Sequence, residues 1–334
     1  MAGVETSSTI FSVENLKKYF SLQSGLLGGL FGKGKQIVKA IDGISFSIER
    51  GEIVGLVGES GSGKTTLGEI LVRLQEPSEG KILLGTREIT HLAGKDLTEF
   101  RRDAQMIFQD PYETLNPRFT IYETVCEPLK IHRISDDHEK VERVIEALEQ
   151  AELRPGKDFF DRYPHELSGG QRQRVSISRA IVLEPKFIVA DEPVSMLDVS
   201  IRAGILNLLM NLNSKLGVTL FYVSHDLTTV KYICQRTMIM YLGKIVECGE
   251  TSLILNSPLH PYTKALISAV PRIDLKASRK RADIRGEMSD AIDLPSGCRF
   301  HPRCLQAQEI CRGVEPSLID HDGRHQVACH LYDR

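Results

Sequence analysis

Residues 58–65 read Gly58-Glu59-Ser60-Gly61-Ser62-Gly63-Lys64-Thr65, with Thr66 next. The spacing fits G-x-x-x-x-G-K-[ST] without departure, and its chemistry is anion binding. Glycines let the backbone curl until consecutive N–H groups point at one centre. A helix opening at the end of such a loop adds its positive N-terminal dipole. Lys64 has the reach for the β and γ phosphates of a nucleotide, and the Thr65 hydroxyl can ligate Mg2+. All nine residues, Gly58 to Thr66, are candidate nucleotide contacts.

A second chemical group lies downstream. Phe187-Ile188-Val189-Ala190 is an apolar run that ends in Asp191 and Glu192. Two carboxylates at a strand end, after a phosphate loop, divide two tasks. Asp191 suits holding Mg2+, usually through water. Glu192 suits polarising the attacking water.

A third group is sulfur. Four of the seven cysteines, Cys298, Cys304, Cys311 and Cys329, fall at the C-terminal end. In a reducing compartment such clustering argues for a metal or cluster rather than disulfides. The spacing is neither the C-x2-C knuckle of common zinc sites nor a ferredoxin run. A short tail with little apolar content gains most from a metal that organises it. An iron–sulfur cluster, zinc, and unligated or disulfide-linked thiols stay open on spacing alone. His301, His325 and His330 lie close enough in sequence to join a zinc site, although each reads first as a surface residue. Cys126, Cys234 and Cys248 read as packing residues.

The elements that must carry these groups are short apolar strands alternating with helices. Strands are expected at 10–17, 37–48, 52–57, 104–108, 187–190, 218–223 and 237–241. Helices are expected from Thr65 to Leu74, within 119–153, and at 169–183, 199–216 and 226–234. Alternation of this kind implies a parallel sheet covered on both faces. The Gly-rich insert 21–35 reads as a flexible hairpin loop. Periodicity fades after about 271, where a basic stretch at 276–285 reads as a solvated linker. A boundary is placed near 256–272, giving units at 8–256 and 257–334.

Composition sets the class. Apolar content of 41% and charged content of 26% are ordinary for a globular protein. A formal charge of −2 gives no sign of the basic face that nucleic-acid binding needs. No run approaches the ~18 apolar residues of a membrane span. No signal peptide is read at the N-terminus, so membrane work is expected to pass through a partner.

Leu167-Ser168-Gly169-Gly170-Gln171 stands between the phosphate loop and the acidic strand end. Alone, Ser168 before two glycines would be an ordinary N-cap. In this position the chain resembles the ATP-binding cassette family. The resemblance implies a P-loop α/β fold: a parallel-sheet core, an antiparallel β subdomain and a helical subdomain at about 112–168. It implies ATP and Mg2+ as ligands, with Thr65, Gln109 and Asp191 at the metal. It makes Glu192, His225 and Gln109 catalytic and stacks Phe20 on adenine, with Tyr19 as the alternative. Two cassettes pair head to tail, so each ATP also meets Ser168, Gly169, Gly170, Gln171 and Asp198 of the other chain. ATP closes the pair and hydrolysis opens it.

Further runs narrow the branch. Phe108-Gln109-Asp110-Pro111-Tyr112, His260-Pro261-Tyr262-Thr263 and Gly297-Cys298-Arg299-Phe300-His301-Pro302-Arg303-Cys304 are similar to the dipeptide and oligopeptide importers. The pattern is most similar to their second, F-type ATPase subunit. The resemblance implies a heterodimer with a second ATPase, two membrane permeases and, indirectly, an extracytoplasmic solute-binding protein. It places the chain peripherally on the cytoplasmic face of the membrane. In that family the tail can hold a [4Fe–4S] cluster. Nickel or sugar import, and a soluble ATPase outside transport, are the alternatives.

Overall fold

Five apolar runs without internal alternation become strands buried on both faces. The computed structural model describes residues 9–22, 36–269 and 292–333. The part of the Gly-rich insert beyond residue 22 and the basic stretch 276–285 lie outside the described residues.

The strands are, in chain order, β1 (Thr9–Leu22), β2 (Gln36–Glu49), β3 (Ile53–Val57), β4 (Glu79–Leu84), β5 (Arg87–Glu88) and β6 (Ala104–Ile107). They continue as β7 (Phe187–Asp191), β8 (Thr219–Ser224), β9 (Arg236–Tyr241), β10 (Lys244–Glu250), β11 (Ile319–Asp320) and β12 (His325–Val327). One sheet has the order β2-β1-β4-β5 and is antiparallel. The other is eight-stranded, β11-β12-β10-β9-β3-β8-β7-β6. Its β9-β3-β8-β7-β6 section is parallel.

Parity along the strands divides the core. Ile188 and Ala190 pack with Ile53, Val57, Leu220 and Tyr222 against the helices. Phe187 and Val189 pack with Val54, Leu56, Phe221 and Val223 against the antiparallel sheet. Both faces are dry, which is why these strands read as continuous apolar runs.

The helical region between β6 and β7 contains Ile121–Ile131 and Asp137–Gln150, followed by two short 3-10 turns that lead to Ser168. Thr120 opens the first with a capping box to Glu123. Strands β4 and β5 and the helix Gly94–Asp103 are additions to the sequence reading.

Beyond residue 256 the chain does not stand apart. After the helix Pro261–Ala269 it returns to the same sheet, where β12 pairs antiparallel with β10. The fully buried Glu247 of β10 accepts bonds from the N–H groups of Leu259 (2.7 Å) and His260 (3.0 Å). It also faces His325 Nε2 at 2.7 Å. One carboxylate thus clamps two separate pieces of the C-terminal segment, at 259–260 and at His325.

Candidate active site

In a parallel sheet all C-terminal strand ends lie on one edge, where ligands of such folds bind. That edge gathers the chemistry scattered over the sequence. The phosphate loop leaves β3, Gln109 follows β6, Asp191 and Glu192 end β7, and His225 follows β8.

The loop's curl is enforced by contacts. A Cβ on Gly58 would lie 2.2 Å from the Met240 carbonyl oxygen. Gly63 has φ of 105° and equally little room beside the Ala40 carbonyl. Only glycine fits either position. The helix Lys64–Leu71 starts at once, with its first N–H groups toward the loop.

A cleft of about 670 Å³ opens there, lined by Ser60, Gly61, Gly63, Lys64, Thr65 and Thr66 together with Gln109, Glu192 and His225. Phe20, Val38 and Ala40 form its apolar wall. Tyr19 does not line the cleft; its hydroxyl is bonded to Asp42. Phe20 carries the Lys18 ammonium 4.9 Å from its ring centroid. An aromatic face at the mouth and N–H groups at the floor suit a nucleotide base and its phosphates.

Glu192 is gripped from two sides. Gln109 Nε2 donates to its Oε2 at 3.2 Å, and His225 Nδ1 stands 3.0 Å from its Oε1. Its backbone has φ of 45°, a left-handed conformation that costs a side-chain-bearing residue about 1 kcal/mol. Strain of this kind gathers at functional sites, where surrounding contacts hold it. Here the Glu192 N–H donates to Val223 O, and Ser195 N and Oγ both donate to Glu192 O.

Asp191 lies beneath, only 3% exposed. Burial pushes its carboxyl up to about 6, and Glu192 adds to the rise, while the Thr65 hydroxyl bond and Lys64 oppose it. Its Oδ1 is buried with no partner. An orphaned carboxylate oxygen beside a threonine hydroxyl fits a Mg2+ ion. Lys64 donates to Gly58 O and Glu59 O, both at 2.9 Å. Burial lowers its pKa, and the Glu192, Asp191 and Glu59 carboxylates oppose that.

The Asp191 shift has a sign that can be tested. Between its ordinary 3.8 and about 6 the folded chain keeps a proton that the unfolded chain has released. Stability from this group therefore falls as pH rises through that window, and the loss is complete above it. Without nucleotide or Mg2+, Asp191→Asn should stabilise the chain at pH 7 by up to about 3 kcal/mol. Urea unfolding of both proteins at pH 4 and pH 7 measures this. Equal midpoints at pH 7 would contradict it.

Other expected contacts lie elsewhere. Gly58, Glu59 and Ser62 belong to the loop but do not line the cleft, and Ser168, Gly169, Gly170, Gln171 and Asp198 are also outside it. Ser168 is exposed and caps the helix Gly169–Ile181, receiving the Gln171 N–H at 3.3 Å. A Cβ on Gly170 would meet Ile201 at 2.7 Å, so this helix start packs on the first turn of the helix Val199–Leu216, whose N-cap is Asp198. At this helix start, Met196 before the N-cap is 61% exposed and Val199, the first helical residue, 79% exposed. Ser168 and Asp198 therefore share an outward edge with exposed apolar neighbours.

The four C-terminal cysteines are free thiols and interact electrostatically with one another. Burial pushes Cys298 and Cys329 up to about 11. Cys298, Cys304 and Cys329 accept from the N–H two residues on, at Phe300, Gln306 and Leu331. Cys311 accepts from Gln308 N at 3.4 Å. N–H donors aimed at sulfur favour the thiolate form a metal requires. Among the described residues, no group of three or more His, Cys, Asp or Glu side chains is disposed to hold a metal ion. The donor chemistry suits thiolate ligation; the present arrangement does not close on one ion. The nearby histidines are engaged otherwise: His301 with Cys298 O, His325 with Glu247, and His330 with Asp333 and Val314 O.

Among the described residues no helix is long and apolar enough to cross a membrane. Two roles had no signal in the motifs. Tyr262 and Arg303 both reach the phosphate loop from beyond residue 256. Only their place in runs with a family pattern marked them.

Residues 41–195 match the family described as ABC transporter, and residues 246–311 match the oligopeptide/dipeptide transporter C-terminal region. A putative peptide import ATP-binding protein of Brucella ovis is 45% identical over 97% of this chain and 98% of its own. The oligopeptide transport ATP-binding protein AppF of Bacillus subtilis is 44% identical over 97% and 98%. The dipeptide transport ATP-binding protein DppF of Haemophilus influenzae is 43% identical over 99% of each. Among solved structures, the dimeric post-hydrolysis state of the cassette MJ0796 bound to ADP and Pi has a TM-score of 0.62. It shares 31% identity and covers 72% of this chain and 98% of that one.

Proposed function

Because this chain belongs to the ABC transporter family, we propose that it powers an importer of di- and oligopeptides as one ATPase of a head-to-tail pair. The chain is an ATPase of that family. The observation that carries the catalytic reading is the Glu192 carboxylate, held between Gln109 and His225 at the mouth of the phosphate-loop cleft.

In this reading, the N–H groups of residues 60–66 and Lys64 hold the phosphates, and Phe20 stacks on the base. Glu192 takes up a proton from the attacking water as its oxygen bonds to the γ phosphorus and the bond to the β,γ-bridging oxygen breaks, giving ADP and inorganic phosphate. Gln109 and His225 fix the direction of its carboxylate. Thr65, Gln109 and Asp191 would hold Mg2+, which neutralises phosphate charge. Ser168 to Gln171 and Asp198 act on the ATP of the partner cassette, because they form an outward edge away from their own cleft. The cassette is assigned to 8–256 and the C-terminal region to 257–334.

The partner is a second, different ATPase, and both sit on two permeases at the cytoplasmic face of the membrane. The relatives named for peptide transport support the substrate class. The four thiols are the proposed ligands of a [4Fe–4S] cluster, which on binding would have to draw together sulfurs that do not now close on one ion; the N–H donors toward the sulfurs support this reading. Bound there, a cluster would cross-link a tail with little core of its own.

One experiment addresses both readings. The tagged chain is purified anaerobically from detergent-solubilised membranes. Two multi-span subunits and a second ATPase should come with it. Iron and sulfide should each approach about four per chain, with a brown colour. Recovery of the chain alone, or permeases whose reconstituted vesicles take up nickel or sugar and no peptide, defeats the peptide-importer reading. Colourless, zinc-loaded or metal-free protein defeats the cluster.

A further inference from the structure

We infer that Arg303 is a positioning residue for the phosphate loop, and that through it the Cys298–Cys304 turn sets how tightly the site holds ATP. The inference rests on the reading of residues 58–66 as the ATP loop.

Every polar group of Glu59 is engaged. Its carbonyl oxygen accepts from Lys64, inside the loop. Its N–H donates to the Tyr262 hydroxyl at 2.9 Å. Its carboxylate accepts from Arg303 Nη1, at 2.9 Å to Oε2 and 3.2 Å to Oε1. Two of these three restraints come from beyond residue 256. They fix the residue that follows Gly58, where the chain leaves β3 and begins to curl. A loop that binds anions through several N–H groups needs them all aimed at once, so a small tilt at its first residues weakens every bond.

The Arg303 side chain is built to stay in place. It is 7% exposed, so its charge needs a partner, and Glu59 is that partner. The guanidinium lies 5.8 Å from the Tyr241 ring centroid and 5.9 Å from that of Phe300. Tyr241, Tyr262 and Phe300 are all buried and packed on one another. Tight backbone turns join Arg303 to the cysteines: His301 N to Cys298 O, Arg303 N to Phe300 O, and Cys304 N to His301 O.

The other arginine of this turn reaches the same loop by a second path. Arg299 donates to Leu242 O and to Asp42. The adjoining Gly243 N–H donates to Ser62 O at 2.9 Å. An arginine beside each of two cysteines is thus tied to the phosphate loop, Arg303 directly at Glu59 and Arg299 one step removed, through Leu242 and Gly243. A shift of the turn is carried to both.

The test is nucleotide titration and steady-state hydrolysis on the full chain with its partners. Arg303→Ala should raise the Kd and KM for ATP by about tenfold, with kcat at saturating ATP within about twofold. Arg303→Lys should recover part of the affinity. Glu59→Ala, altered from the other side, should show the same loss, and the double variant should be no worse than either. If Arg303→Ala does not fold, Glu59→Ala and Arg303→Lys still decide. Unchanged KM and Kd with only a lower Tm would make the pair merely structural and overturn the inference. Lys64→Ala is the control for the site: if it binds ATP normally, the reading of the loop fails, independently of Arg303.

Discussion

Glu192→Gln should lower kcat for ATP hydrolysis by about 10²–10⁴-fold, while ATP binding stays near that of the parent. The change keeps the size of the side chain and its capacity to accept from Gln109. It removes the carboxylate proposed to take the proton of the attacking water. No residue of the phosphate loop is replaced; Glu192 contacts Gln109 and His225, and its charge acts on Lys64 only through space. With hydrolysis blocked, the ATP-bound pair has no route to reopen, so size-exclusion chromatography with ATP should show more dimer than for the parent. Hydrolysis within about twofold of the parent would remove Glu192 from the catalytic role. His225→Ala should cost less, since it deletes only one of the two groups that orient the carboxylate.

The largest loss of stability is expected from Glu247→Ala. This carboxylate is fully buried and satisfies the N–H groups of Leu259 and His260 as well as His325. Alanine leaves two N–H donors and a buried imidazole without a partner. Breaking a buried pair in this way costs about 3–5 kcal/mol. The imidazole of His260, packed on Phe300, is already held neutral by burial, its pKa pushed down to about 4. The loss should appear first as release of β12 and the segment after residue 256. Limited proteolysis should then cut between 257 and 333 under conditions that leave the parent intact. An unchanged melting temperature together with an unchanged cleavage pattern would refute the clamp.

The two predictions mark different degrees of legibility. Glu192 was readable because its chemistry is local: an apolar strand, then two acids, at a distance from a glycine loop that a parallel sheet converts into proximity. The same holds for Gln109 and His225, each just past the end of an apolar strand. Phe20 was readable only as one of two candidates. Strand alternation separates it from Tyr19, and which of the two faces the cleft depends on how β1 pairs with β2. Glu247 had no signal. Its neighbours in sequence are apolar and small, and its partners lie 12, 13 and 78 residues away.

The tail shows the same limit. Spacing marked its cysteines as a group, but a loop-rich segment has no periodicity from which pairing can be read. Its attachment depends on β12, with β11 beyond it, adding to β10 in a sheet whose remaining strands are more than 70 residues earlier in the chain.

The phosphate loop with which the sequence reading began is therefore half a sequence property. Its glycines, its lysine and its threonine by themselves determined that it curls and runs into a helix, the form suited to a phosphate, because backbone freedom and local charge need no distant partner. Tertiary structure alone decided that its second residue is held by Tyr262 and Arg303 from the far end of the chain. It also decided that Ser168 and Asp198 face outward from their own cleft. Those facts depend on which surfaces meet, and side chains that meet across two hundred residues leave no spacing to read.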